Sequence, residues 1–459
     1  MAEHSSPAYR RGSTVLVCGV RLAGEAAARA LLARGVRVLV SDRDRLQAVD
    51  ALVAAGAEYV GVPAAVPPGV AQVVASPGWR PDHPLLLDAA ARGVEVLGEL
   101  ELAWRLRGPR AAPWLAVTGT NGKTTTVRML ESILRAAGLH ARAVGNVGVS
   151  VIDAVDAAAP FDVLAVEMSS FQLHRCTTVR PAAGALLNIA ADHLDWHGSM
   201  AAYAQVKTRV WTGAVAVGND DDPTVAALLA QAPAARRVGF TVAEPRPGQL
   251  GIRDGMLVDR AFGAGTELVA VAEIRPTGLH NAGNALAAAA LARAHGVDAG
   301  AVGAGLRAFV PDPHRNQTVL TRGGVTFVDD SKATNPHAAL ASLSARERVV
   351  WIAGGQLKDA PVEQFVAEVA ARLAGVVLLG ADRGTIAAAL RRHAPDVPVI
   401  DVSSNDDGAM TEVVRAAAGL ARPGDVVLLA PAAASYDMFT GYAERGERFQ
   451  SAVRALDGS

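Results

Sequence analysis

With 459 residues, 51% hydrophobic and 19% charged, the chain is too apolar for disorder and, at about 150 residues per domain, long enough for three domains. A net charge of −1 provides no basic footprint for nucleic acid. Cys18 and Cys176 stand far apart in no metal spacing. No signal-like apolar run precedes Gly12, and no stretch reaches the ~18 apolar residues of a membrane helix, so a soluble cytoplasmic protein is expected.

The first predicted strand, 14–18, runs into Gly19 and a helical stretch ending near Arg34. A second strand, 36–40, ends at Ser41 and Asp42. This is the start of a Rossmann-type sheet, but Arg21 replaces the second glycine of the dinucleotide fingerprint, so a dinucleotide is not expected. A further strand, 71–74, ends in the small-residue turn Ala75, Ser76, Pro77, Gly78. Proline, glycine and arginine over 107–113 mark a linker.

The second segment opens with a strand at 114–118 and alternates strands, including 162–168 and 183–189, with helices. Loops and short strands follow over 244–265, then a helix at 281–295 and a second hinge at 310–315. In the third segment, apolar runs at 325–328, 349–353, 376–379, 397–402 and 426–429 predict strands of a sheet buried on both faces.

The chemistry is densest after strand 114–118. Gly119, Thr120, Asn121, Gly122, Lys123, Thr124 and Thr125 join a strand to a helix, as a phosphate-binding loop does. Backbone N–H groups cradle phosphate there, lysine reaches the terminal phosphates, and Thr124 can hold Mg²⁺. Val117 stands where the strict pattern has its first glycine, so the loop is a shortened variant. Glu167 ends a strand, as a Mg²⁺ ligand beside a nucleotide would, although a strand-end acid alone is unremarked chemistry. His193 follows another strand and reads equally as a metal ligand or a helix cap. Lys207, on the next helix, reads alone as a solvated charge. Only four of the 44 basic residues are lysines: Lys123, Lys207, Lys332 and Lys358. Wherever a generic cation sufficed the chain carries arginine, so these four are candidates for work that needs a compact, reactive ammonium.

Taken together, residues 119–125, Glu167 to Leu173, Asp192 with His193, Lys207, Leu279 to Asn284, Pro313 to Arg315 and Asp330 to Asn335 resemble the motifs of the Mur ligases, in the same order. The resemblance spans Gly19 to Phe449. The runs 169–173, 330–335 and 431–439 are similar to those of the branch that adds D-glutamate to UDP-N-acetylmuramoyl-L-alanine. It implies an α/β fold of three domains: a Rossmann-like N-terminal domain (1–110) for the UDP-sugar, a central phosphate-loop ATPase-like domain (111–313), and a C-terminal Rossmann-like α/β domain (314–459) for the amino acid. Sister ligases with other amino acids and folylpolyglutamate synthase are the alternatives.

The same resemblance implies ATP and two Mg²⁺ ions, with Lys207 converted to a carbamate by CO₂. Thr124 and Glu167 would hold one ion, and His193 and the Lys207 carbamate the other. Lys123, Lys207, His193 and Glu167 would be the catalytic set. Asn281, Asn284, Arg315 and Asp330 would contact ATP beside the phosphate loop. Leu22, Asp42, Arg43 and Gly78 would form the uridine pocket, with Asn146 nearer the muramoyl group and Ser169 also on the substrate. Lys332, Thr334, Lys358, Ser435, Tyr436 and Tyr442 would surround D-glutamate, in a chain acting as a monomer. Three departures from the family pattern fall around the second hinge and the amino-acid pocket: Asn316 and Gln317 where an acid is usual, Asp329 for a common asparagine, and Asp359 and Ala360 where a glycine often follows the lysine.

Overall fold

The computed structural model describes residue 9 and residues 12–456, apart from 46, 109, 359, 405 and 407. Most of the N-terminal stretch read for a signal, Pro109 of the predicted linker and Asp359 lie outside the described residues.

Three sheets carry the chain. The first is fully parallel, with β1 (Thr14–Cys18), β2 (Arg37–Ser41), β3 (Glu58–Tyr59), β4 (Val70–Ala75) and β5 (Glu95–Leu97) in the order β3-β2-β1-β4-β5. Its strands are valine- and leucine-rich because both faces are covered. The helix Leu22–Ala33 buries Ala26, Ala27, Ala28, Ala30 and Leu31. The chain reverses direction around β1, and this opens a crevice at the C-terminal ends of β1 and β4.

The second sheet holds β6 (Trp114–Thr118), β7 (Ala141–Gly145), β8 (Val163–Glu167), β9 (Ala183–Leu186), β10 (Val215–Asn219), β11 (Arg236–Phe240), β12 (Gln249–Arg253), β13 (Met256–Asp259) and β14 (Thr266–Ala270). Their order is β14-β13-β12-β11-β10-β9-β6-β8-β7. Pairing is parallel from β7 to β12, and β12, β13 and β14 form an antiparallel end, of which β12 and β13 fall in the stretch 244–265 read as loops and short strands. Residues 282 and 285–292, an apolar run within the helix Leu279–Ala294, are completely buried against this sheet's core.

The third sheet orders β15 (Gln317–Arg322), β16 (Val325–Asp329), β17 (Val349–Gly354), β18 (Leu373–Leu379), β19 (Val399–Asp401) and β20 (Val426–Leu429) as β15-β16-β20-β17-β18-β19. β17 is buried along its whole length. The expectation of strands buried on both faces fails at the edge. β19 is three residues long with its two ends exposed, and the unforeseen β15 is an antiparallel edge strand with no fully buried residue.

By contact density the described chain forms two units, which divide at Val310, inside the predicted second hinge; segments 190–192 and 275–281 group with the second unit. The predicted linker at 107–113 marks no such division, because side chains of the helix Glu99–Leu106 tie the first sheet to the second. Glu99 accepts hydrogen bonds from Ser150 Oγ at 2.5 Å and Val151 N at 3.1 Å, and Glu101 accepts from Thr177 N and Thr178 N at 2.8 and 2.9 Å. Burial raises the Glu99 carboxyl against the lowering effect of its donors. Among the described residues no helix is long and apolar enough to cross a membrane.

Trp351 on β17 is completely buried, donates from Nε1 to Ala430 O at 2.7 Å and meets Phe365 edge-on at 5.4 Å. Trp351→Ala is expected to destabilise the third sheet by about 3–5 kcal/mol, read as a lower urea midpoint for that unit's transition; an unchanged midpoint would show that the core closes around the loss.

Candidate active site

The phosphate loop leaves β6 at the crossing point of the second sheet, between β8 and β9. Gly119 and Gly122 take φ of 156° and 82°, which residues with a Cβ rarely adopt. Gly122 caps the helix Lys123–Ala136, and a Cβ there would strike the Asn284 carboxamide. The loop thus presents amides and a helix N-terminus to one point, an arrangement that binds phosphate. Lys123 Nζ donates to Gly119 O at 2.9 Å and Thr120 O at 2.8 Å. Lys207 is 1% exposed, so it is no solvated charge; its Nζ donates to the same Gly119 carbonyl at 2.8 Å and lies 4.6 Å from the Tyr203 ring centre.

Glu167, at the end of β8, pairs in register with Val117 of β6. It is almost wholly buried. Oε1 accepts from Asn146 Nδ2 at 2.9 Å, and Oε2 is buried without a hydrogen-bond partner among the described residues. A buried carboxylate oxygen left in this way fits a cation ligand. Among the described residues no cluster of three or more His, Cys, Asp or Glu gathers; Mg²⁺ is an ion that keeps waters and takes one or two carboxylates. His193 holds a left-handed backbone (φ 53°) at the start of the helix Leu194–His197. Its side chain makes no cap; the ring lies 4.7 Å from that of Phe171. Ser169 caps the helix Ser170–His174 reciprocally with Gln172, so its hydroxyl is already engaged there.

At the first sheet's crevice, Asp42 spends both oxygens on backbone, Oδ2 accepting from Val20 N at 2.6 Å and Oδ1 from Arg43 N at 2.7 Å. Ser76 Oγ donates to Gly19 O at 2.7 Å, joining the loops after β4 and β1. Leu22 is exposed, and the space beside Gly78 is open.

In the second unit, the loops after β16, β17 and β20 leave neighbouring parallel strands at the same end, and they carry Lys332, Thr334, Lys358, Ser435 and Tyr436. Backbone bonds between Ala432 and Ala333, and between Gln356 and Ala434, hold them together. Lys332 Nζ sits 3.7 Å from the Tyr442 ring centre; Lys358 is exposed on a left-handed backbone. Asp330 accepts from Asn316 N at 3.1 Å and from Ser342 Oγ, and burial pushes its carboxyl up to about 6. Two departures from the family pattern, Asp329 and Asn316, are absorbed locally. Asp329 accepts from Gln450 Nε2 and pairs with His314 Nδ1 at 2.7 Å, while Asn316 Oδ1 accepts from Arg346. Asn281 donates to Thr277 O at 3.2 Å; it, Arg315 and Asp330 belong to this unit, while Asn284 belongs to the first.

Two buttresses escaped sequence reading. Asn188, after β9, accepts from Asn121 N at 2.8 Å, donates to Asn121 O at 3.1 Å, and offers its own carbonyl to Thr120 N. Arg445 is 1% exposed and donates to Ser331 Oγ and O and to Ala433 O; burial lowers its guanidinium to about 10. Neither sits in a pattern that marks it; only the asparagine following a buried strand hinted at the first. Asn188→Ala should weaken binding of ADP with Mg²⁺ roughly tenfold by loosening the loop, as calorimetry would measure. An unchanged Kd would show that the loop keeps its shape unaided.

Comparison with known proteins places this geometry. The Mur ligase middle domain matches residues 117–292, and the Mur ligase glutamate ligase domain matches residues 314–433. The chain is 55% identical to the UDP-N-acetylmuramoylalanine--D-glutamate ligase of Thermobifida fusca, over 98% of this chain and 99% of that one. It is 52% identical to the enzyme of the same name from Streptomyces avermitilis, over 97% and 99%. At 18% identity, MurF of Acinetobacter baumannii shares the fold over 91% of each chain with a TM-score of 0.62, and MurC of Thermotoga maritima over 97% and 99% with 0.59. The chain belongs to the Mur ligase family and, within it, to the UDP-N-acetylmuramoylalanine--D-glutamate ligases.

Proposed function

We propose that the chain joins D-glutamate to UDP-N-acetylmuramoyl-L-alanine, with ATP converted to ADP and phosphate, in cytoplasmic synthesis of the peptidoglycan precursor. The observation that carries this is the convergence of Lys123 and Lys207 on the Gly119 carbonyl, with the buried, unpartnered Glu167 Oε2 on the neighbouring strand. The Lys123 ammonium at that carbonyl favours an anion beside it, as a transferring phosphoryl group provides, and the buried Lys207 amine lies within reach of the same point.

The muramoyl-alanine carboxylate attacks the γ-phosphorus, the bond to ADP breaks, and an acyl phosphate forms. The amine of D-glutamate then attacks the acyl carbon, loses a proton, and phosphate leaves. Lys123 and the amides at the start of the helix Lys123–Ala136 stabilise charge spreading over the phosphoryl oxygens. Bound Mg²⁺ would screen the repulsion between carboxylate and triphosphate; Thr124 and Glu167 would hold one ion, and His193 and Lys207 a second. For that role the neutral Lys207 amine adds to CO₂ and releases a proton, giving a carbamate anion. Its remaining N–H can still donate to Gly119 O, so the bond seen for the amine survives the modification.

Asn281, Asn284, Arg315 and Asp330 complete the ATP contacts in this reading. Leu22, Asp42, Arg43 and Gly78 take the uridine end, and Asn146 and Ser169 the muramoyl end. Lys332, Thr334, Lys358, Ser435, Tyr436 and Tyr442 take D-glutamate, where a lysine beside a dicarboxylate is a charge-assisted pairing. Domain boundaries near 110 and 313 and a monomeric working unit belong to the same reading.

Phosphate release should require ATP, Mg²⁺, UDP-N-acetylmuramoyl-L-alanine and D-glutamate together. Turnover with L-alanine or meso-diaminopimelate and none with D-glutamate would assign the chain to a sister ligase. Lys123→Ala should lower kcat by about 10²-fold, the scale of one lost preorganised contact; near-wild-type turnover of the folded variant would refute the role.

Lys207→Arg tests the carbamate, because arginine keeps the cation and cannot form the anion. Severe inactivity is expected, with partial recovery of Lys207→Ala by added acetate. An arginine variant within a few fold of wild type would end the carbamate reading.

A further inference from the structure

Arg175 ends the short helix Ser170–His174 that follows Glu167, and its side chain crosses into the first sheet's crevice. Nη1 donates to Ala75 O at 2.9 Å and Ser76 O at 3.1 Å, and Nη2 donates to Trp79 O at 2.5 Å. The acceptors are the last residue of β4 and two residues of the turn after it, which Ser76 Oγ ties to Gly19 on the opposite lip. Arg175 is 7% exposed, and among the described residues no carboxylate pairs with it. Burial lowers its guanidinium to about 10.

A tether alone has no need of a buried charge, which is costly to desolvate when no counter-charge faces it. The charge is placed at the strand-order reversal of a parallel sheet, where ligands bind beyond the strand ends. At its other end, Arg175 N donates to Gln172 O at 3.1 Å, and Gln172 forms the reciprocal cap with Ser169, two residues beyond Glu167. One residue therefore joins the crevice to the strand end that carries the buried carboxylate.

We propose that Arg175 is a positioning residue for the sugar nucleotide, holding the 75–79 turn at a fixed distance from Glu167 and placing a positive charge beneath the diphosphate. This rests on the functional reading above. It makes the first two sheets a ruler between the diphosphate and the phosphoryl-transfer site.

The test is calorimetric titration of wild type, Arg175→Gln and Arg175→Lys with UDP-N-acetylmuramoyl-L-alanine and, separately, with ADP and Mg²⁺. Glutamine should raise the sugar-nucleotide Kd about tenfold, the scale of one lost charged hydrogen bond, and lysine about threefold, with the ADP Kd within about twofold in both. In steady state, KM for the sugar nucleotide should rise more than kcat falls. Unchanged sugar-nucleotide binding overturns the proposal, and so does a parallel loss of ADP binding, which would mark a purely structural tie. If the glutamine variant does not fold, the lysine variant decides by the same comparison. A wild-type chain that binds ADP but not the sugar nucleotide would instead sink the functional reading on which the proposal stands.

Discussion

One carbonyl oxygen, that of Gly119, accepts hydrogen bonds from the ammonium groups of both Lys123 and Lys207. The convergence needs a backbone that turns back on itself, hence glycine at φ 156°, and a loop held still, hence the Asn188 staple and the Thr120 hydroxyl 3.1 Å from that of Tyr203. It also needs one lysine from the helix that opens at the loop and another from a helix more than eighty residues later, brought in by β9 pairing beside β6. Two like charges on one dipole repel, and the arrangement is relieved by phosphate, or by turning one cation into an anion. The same local electrostatics would bear on phosphoryl transfer and on the carbamate proposed for Lys207.

Around that point, the first two sheets behave as one packed unit. Glu99 and Glu101 on one side and Arg175 on the other bond backbone and side-chain groups across the join, so the crevice of the first sheet and the carboxylate of the second keep their spacing. A ligase that must bring a carboxylate to a phosphorus benefits from fixing that separation in a scaffold rather than in loops. The third sheet is organised on its own terms. Three strand-end loops are gathered by backbone bonds and by buried Arg445, which presents lysines and hydroxyls at one end of the sheet's parallel strands.

Much of this was legible in the chain. The strands at 14–18, 114–118 and 426–429 match to the residue, because valine- and leucine-rich runs in parallel sheets are buried on both faces and read clearly. At the edge of the third sheet the reading was partial: β19 lies within the run read as a strand but is half exposed, and β15, which mixes polar with apolar residues, carries no burial signal and was not foreseen. The phosphate loop was recognisable because its chemistry is local, with glycine, lysine and threonine at set spacing between a strand and a helix.

What sequence by itself determined, then, was residue type in local context: the loop, the strand-end acid, the four lysines and the order of motifs that marks the family. Tertiary structure decided which distant groups meet. Asn188 reaches a partner 67 residues away, Arg175 one 100 away and Arg445 one 114 away. It alone turned Lys207 from a charge on a helix into a buried donor, and left Glu167 Oε2 without a hydrogen bond. The physical reason is that propensity and periodicity act over a few residues, whereas a buried polar group finds its partner only once strand order has set which loops lie side by side.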